Sequence, residues 1–150
     1  MDSICSATTV KKLRKALDLM PTNYQEAYRD TFDRILKQDK EHKGLAISAL
    51  SWICNSRRPL DISELQHAIA SLDESPKYTP EDLESDKSIL SSCLSFLIHS
   101  KSTQTVNLVH SSTRNFLIEQ LNAQTLISNI TISCACLQYM SSPEIAKGTC

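Results

Sequence analysis

The sequence predicts a mainly α chain with a winged helix at its centre: a helix-turn-helix plus a small β-hairpin wing, with flanking helices. Apolar residues recur at helical spacing in a succession of segments from Tyr24 to Leu137. Between Phe96 and His110 the period shortens to brief, partly alternating runs. Three helices, a hairpin and a closing helix, in that order, are the layout of a winged helix.

Taken in order, the segment 24–36 places Tyr24, Ala27, Tyr28, Phe32, Ile35 and Leu36 on one helical face, with Pro21 and Thr22 as start signals. A shorter basic helix from Thr8 to Leu19 is expected ahead of it, its Lys11, Lys12, Arg14 and Lys15 read as a solvated face. A further helix follows Gly44, with Leu45, Ala46, Ala49, Leu50, Ile53 and Cys54 on one face and Trp52 near its end; it stops at the Asn55–Pro59 stretch. Asp61 is expected to cap the next helix, with Glu64 completing a capping box and Leu60 stapled against Leu65. Leu65, Ala68, Ile69 and Leu72 carry that helix to an acidic loop from Asp73 to Asp86.

From Asp82 to Leu94 the spacing of Ile89, Leu90, Cys93 and Leu94 predicts the third helix of the core. Phe96–His99 and Thr105–His110 then read as the strands of the wing, and the absence of glycine between them leaves the turn type open. Ser111 or Ser112 is expected to cap a helix through Phe116, Leu117 and Leu121, and a final helix holds Leu126, Ile127, Ile130, Cys134 and Leu137. Trp52 and Leu65 are expected in the core. This organisation divides the chain into N-terminal helices at 1–40, a winged-helix domain at 41–122 and a C-terminal helical region at 123–150, with no internal repeat.

Composition narrows the function classes. A chain of 150 residues, 41% hydrophobic and 22% charged, suits one domain with a real core. Sixteen Lys and Arg against 17 Asp and Glu give a net charge of −1, which argues against nucleic acid or an anionic membrane as a partner. The apolar runs are too short to span a bilayer and the Met1–Met20 stretch has no apolar core, so a cytoplasmic location is expected. The cysteines at positions 5, 54, 93, 134, 136 and 150 read as small core residues, and the Cys134, Cys136 pair lacks the companions of a zinc site. Gly44 and Gly148 are the only glycines, so the chain has no phosphate-binding loop. No serine sits in a nucleophile elbow, and His42, His67 and His99 are placed on helix faces or a strand. The chain is therefore expected to be no enzyme and to hold no metal or cofactor of its own.

Several ordered motifs carry a family resemblance. Met20-Pro21, the 24–36 helix, the Ala49–Ile53 segment, Arg58-Pro59-Leu60, Ser63-Glu64-Leu65, Ser92-Cys93-Leu94 and the Leu108–Ser112 segment running on to Phe116-Leu117 resemble the segment that follows the NACHT domain in fungal ankyrin-repeat proteins, the GPI inositol-deacylase winged helix domain. The likeness extends from about residue 13 to 140. The sequence departs from the family pattern at Ser111, where an aromatic residue usually follows the motif His, and at Tyr24, where Leu usually stands.

The resemblance implies a regulatory part of a signalling NTPase of the STAND, NLR-like class. In such proteins the winged helix packs on the NACHT nucleotide-binding domain and holds it closed around ADP, with ankyrin repeats following. It further implies that His110 is the residue that reaches the nucleotide phosphates, a role that suits an imidazole at a strand end beside a helix N-terminus.

The alternative is a DNA-binding winged helix. Its recognition helix should carry Arg, Lys, Asn or Gln, whereas here Asp82, Glu84 and Asp86 lead in and Lys87 is the one base. The expected outcome of a titration with duplex DNA at physiological salt is no detectable binding; salt-sensitive affinity at micromolar level or tighter would favour the DNA-binding alternative.

Overall fold

A computed structural model describes residues 24–72, 83–123 and 129–142. The chain forms two compact units, Met1–Arg34 and Ile35–Cys150. Helix α1 covers 24–36. In the first unit its Tyr24 and Tyr28 rings stack with centroids 6.3 Å apart. Phe32 is buried, while Tyr24 and Ala27, both assigned to the apolar face, are exposed. The helix expected from Thr8 to Leu19 lies outside the described residues.

The second unit begins its main run of structure with α2, Lys40–Asn55. It starts before the position expected from Gly44, because Asp39 caps it: one carboxylate oxygen accepts from the N–H groups of Glu41 and His42, both at 3.1 Å. The same carboxylate meets the His42 imidazole at 2.9 Å. Those hydrogen bonds hold the Asp39 carboxyl below its ordinary value and the His42 imidazole above it. Gly44 falls inside the helix, where an added Cβ would meet nothing within 4 Å. The buried stripe of α2 contains Ala46, Ile47, Ala49, Leu50, Ile53 and Cys54.

After α2 come β1 (Leu60–Asp61) and α3 (Ile62–Ala70). The capping box is present: the Asp61 carboxylate accepts from the Ser63 N–H at 3.2 Å, and Glu64 accepts from the Asp61 N–H at 2.9 Å. Arg58 reaches the same glutamate with two nitrogens, at 2.9 and 2.7 Å. Hydrogen bonds from Arg58 and then from the Asp61 backbone lower the Glu64 carboxyl from 4.5 to about 2. The contribution of this pairing to stability is present above the ordinary glutamate value and is lost as the pH falls towards 2.

Helix α4, Asp86–Ser92, is shorter than the 82–94 segment expected. Ser85 caps it by accepting from Ser88 N–H at 3.1 Å, and Leu94 at φ 46° turns the chain left-handed just beyond it. Strands β2 (Leu97–His99) and β3 (Thr105–Leu108) form the expected hairpin. Sequence reasoning did not anticipate β1 as a strand: it pairs antiparallel with β3, Leu60 opposite Val106, giving the sheet order β1-β3-β2. Asp61 thus serves at once as ladder residue and helix cap. In the wing turn Gln104, at φ 57°, occupies the position a glycine would take. Its side-chain amide donates to the Lys101 carbonyl at 2.9 Å, and its own carbonyl accepts from Ile62 N–H at 3.0 Å, tying the wing to the start of α3.

The core draws on every layer. Leu50, Leu65, Ile89, Phe96, Val106 and Leu117 are each at most 2% exposed. Trp52, expected among them, is only half-buried. Cys54 and Cys93 are buried, and burial pushes their thiols up to about 11 and about 12. Cys134 and Cys136 are exposed, against the expectation of core residues.

The closing helices are α5, Ser111–Ala123, and α6, Asn129–Ser141. On α6 the residues assigned inward, Ile130 and Leu137, are 75% and 61% exposed, while Ala135 is 2% exposed. The buried line thus passes through the residue after Cys134, a rotation of about 100° from the expected face. A small side chain lets α6 approach closely, and Tyr139, one turn on, meets the His67 ring edge-on at 5.9 Å. Leu126 and Ile127 lie outside the described residues.

Leu65 has no exposed surface. Leu65→Ala should lower unfolding free energy by about 2–5 kcal/mol in denaturant titration. A loss below about 0.5 kcal/mol would mean that the site collapses around the smaller side chain and that this leucine does not anchor α3.

Candidate functional site

The head of α5 is built where the wing ends. Val109 N–H donates to the Phe96 carbonyl at 2.9 Å, so the chain leaves β3 still tied to the base of β2. His110 comes next, exposed, immediately before the first residue of α5. The expected cap was Ser111 or Ser112; the cap is His110 itself. Its carbonyl accepts from Thr113 N–H at 3.2 Å, and its Nδ1 accepts from Ser112 N–H at 3.2 Å. The Ser112 hydroxyl lies 2.8 Å from the same nitrogen. An imidazole nitrogen thus takes the place of the usual cap oxygen.

This arrangement decides the tautomer. A nitrogen that accepts a backbone N–H carries no proton, so in the neutral ring the proton sits on Nε2. Nε2 has no partner among the described residues and belongs to an exposed side chain, which makes it a hydrogen-bond donor available at the positive end of a helix. A serine beside a histidine is also the beginning of a nucleophile and base pair, but here Nδ1 is occupied by the Ser112 main chain and, among the described residues, no carboxylate is hydrogen-bonded to the ring.

Beside this head, α2, β3 and α5 enclose a cleft of about 320 Å³ that includes Arg57, Arg58, Arg114, Asn107 and Ser111 and has no acidic residue in its wall. Arg114 donates through Nε and Nη2 to the Cys54 carbonyl at 3.0 and 2.7 Å, and through Nη2 to the Ser56 carbonyl at 2.8 Å. It therefore satisfies the last carbonyls of α2, which have no partner within the helix. Arg58 is committed to Glu64, with the pair at 2.7 Å.

A family model for the GPI inositol-deacylase winged helix domain matches residues 32–133. The chain belongs to that family. No curated protein and no solved structure matches it.

Within this GPI inositol-deacylase winged helix domain, motifs that are separate in sequence prove to be physical partners. Arg58 of the Arg58-Pro59-Leu60 motif clamps Glu64 of Ser63-Glu64-Leu65, and Leu60 pairs with Val106 just ahead of the Leu108–Ser112 segment. His110 stands at the helix start that sequence reasoning assigned it, but two residues beyond the end of β3 and not within the strand expected to run through it. Arg114 was missed, since nothing local connects it to carbonyls about sixty residues earlier. Among the described residues no three His, Cys, Asp or Glu side chains are grouped to hold a metal, and no helix is long and apolar enough to cross a membrane.

His110→Ala should destabilise the domain by about 0.5–2 kcal/mol, as for other lost caps, whereas His110→Asn, which caps well, should retain most of the stability. Equal unfolding midpoints for the two variants would show that the imidazole does not cap α5.

Proposed function

We propose that this chain is a non-catalytic regulatory module of a NACHT and ankyrin type signalling NTPase, acting in the cytoplasm. It packs on the nucleotide-binding domain, in cis or in trans, and helps to hold the ADP-bound inactive state. His110 is the residue that reaches the nucleotide phosphates. The observation that carries this reading is the free Nε2–H of an exposed imidazole whose other nitrogen is fixed at the N-terminus of α5. A donor so held is oriented before any ligand arrives, and the helix terminus adds a favourable field for an anion.

The DNA-binding alternative has less support. Helix α4 opens on exposed Asp86 with exposed Glu84 just ahead of it, a surface that repels phosphate. Arg57, Arg58 and Arg114 line instead the cleft beside α5, whose wall includes no residue of the helix that would enter a groove.

One hydrogen bond from His110 contributes about 0.5–3 kcal/mol, which alone corresponds to millimolar binding or weaker. The isolated chain should therefore show no appreciable affinity for ADP or ATP in calorimetry. In a chain joining the domain to its NACHT partner, His110→Ala should speed ADP release by about tenfold or more, and His110→Asn should do the same while keeping the cap. Unchanged ADP release in both variants, or micromolar ADP binding by the isolated chain, would return His110 to a purely structural role.

A further inference from the structure

The cleft beside the head of α5 carries more positive charge than the fold itself neutralises. Three of its wall residues are arginines and none is acidic, in a chain whose net charge is −1. Arg58 is paired with Glu64 at 2.7 Å. Arg114 is held by the carbonyls of Cys54 and Ser56, neutral groups that fix its charge in place without cancelling it. Arg57 is exposed and makes no hydrogen bond or ion pair among the described residues. Two cations therefore stand without a counter-charge at a cleft of about 320 Å³.

The rest of the wall suits a carboxylate joined to apolar carbon. Ser111, exposed at the first position of α5, has a hydroxyl with no hydrogen-bond partner among the described residues, and the helix terminus favours an anion beside it. Pro59 is exposed and Leu108 half-buried, so both offer apolar surface to a guest, whereas Ile53 and Val106 are 6% and 1% exposed. Guanidinium groups pair with planar carboxylates through two parallel hydrogen bonds. An inorganic anion has nothing to lay against Pro59 and Leu108. A nucleic-acid module needs a basic face of about 600–1,000 Å², and this charge is confined to one compact cleft.

We propose that the cleft is a docking site for an acidic peptide segment of a partner protein, in which a Glu or Asp carboxylate pairs with Arg57 beside Arg114 and Ser111 while an adjacent aliphatic side chain covers Pro59 and Leu108. His110 is not part of the cleft wall, so this site stands or falls separately from the nucleotide contact proposed for Nε2.

The full chain is titrated at low salt into two peptides carrying the same neutral dye, Glu-Leu-Glu-Leu-Glu and Gln-Leu-Gln-Leu-Gln, with fluorescence anisotropy as the readout. The acidic peptide should bind saturably, lose affinity as salt is added, and bind about tenfold more tightly than the neutral one. Arg57 has no partner in the protein, so its variants should keep the circular dichroism of the fold. Arg57→Gln should weaken the acidic peptide by about two- to fivefold, the worth of an exposed ion pair. Arg57→Glu should weaken it by about tenfold or more, since a like charge then faces the peptide. Lys87→Glu makes the same change of charge at an exposed residue outside the cleft and should leave affinity within about twofold of the native value. No saturable binding, equal affinity for the two peptides, or equal losses in Arg57→Glu and Lys87→Glu would each overturn the proposal. Displacement of the acidic peptide by an equal concentration of inorganic phosphate or duplex DNA would assign the cleft to those anions and overturn it as well.

Discussion

The architecture hangs on the guanidinium of Arg114. Three of its hydrogen bonds run from the first turns of α5 to the carbonyls of Cys54 and Ser56 at the end of α2. Hydrogen bonds from a charged donor contribute about 1.5–3 kcal/mol each where solvent is excluded, and less at a partly exposed site such as this. A cation near the start of α5 opposes that helix's own dipole. The α2 terminus supplies the compensating negative end, so one side chain reconciles the ends of two helices. With α2 and α5 joined, the Arg57–Pro59 turn is held between them and β1 is brought alongside β3. From there Asp61 can cap α3 and Arg58 can close on Glu64.

Features written within a few residues were legible in the sequence. The Asp61 and Glu64 capping box, the buried stripe of α2 and the place of the hairpin all follow from short-range spacing. Where one residue does two jobs, local reading stops short: Asp61 was recognised as a cap and missed as a strand residue. The turn of α6 about its axis escaped for a different cause. Its apolar residues lie on more than one side, so periodicity alone does not choose between a face through Cys134 and one through Ala135. At the candidate site, the position of His110 was legible through motif resemblance, but its capping role was not, because neighbouring serines are the commoner cap. Arg114 carries no local sign of its partners at all.

The two polar and apolar features of the domain are arranged with little interference. Among the described residues Arg58 is paired with Glu64, and the His42 imidazole meets the Asp39 carboxylate. What remains available at the head of α5 is the Nε2 side of the His110 ring, with the basic wall of the cleft beside it. The lining of the cavity around Trp52 is richer in apolar and aromatic side chains, with Ser63, Glu64 and Ser71 as its polar members. Recognition at the head of α5 would depend on charge and orientation.

The pairing of Leu60 with Val106 also imposes an order in time. Helices form from contacts between close neighbours and need little chain closure, while a ladder between distant residues must first overcome the entropy of the intervening loop. The α2 and α3 helices, with their own caps, can therefore take shape early, and the sheet closes late, when α4 and the wing have come round to meet β1. The Arg114 link to α2 spans 60 residues of sequence and carries the same kind of closure cost. Contacts of long sequence separation thus hold the head of α5 and its histidine in position, so the integrity of that surface is tied to the whole fold and not to its local helices.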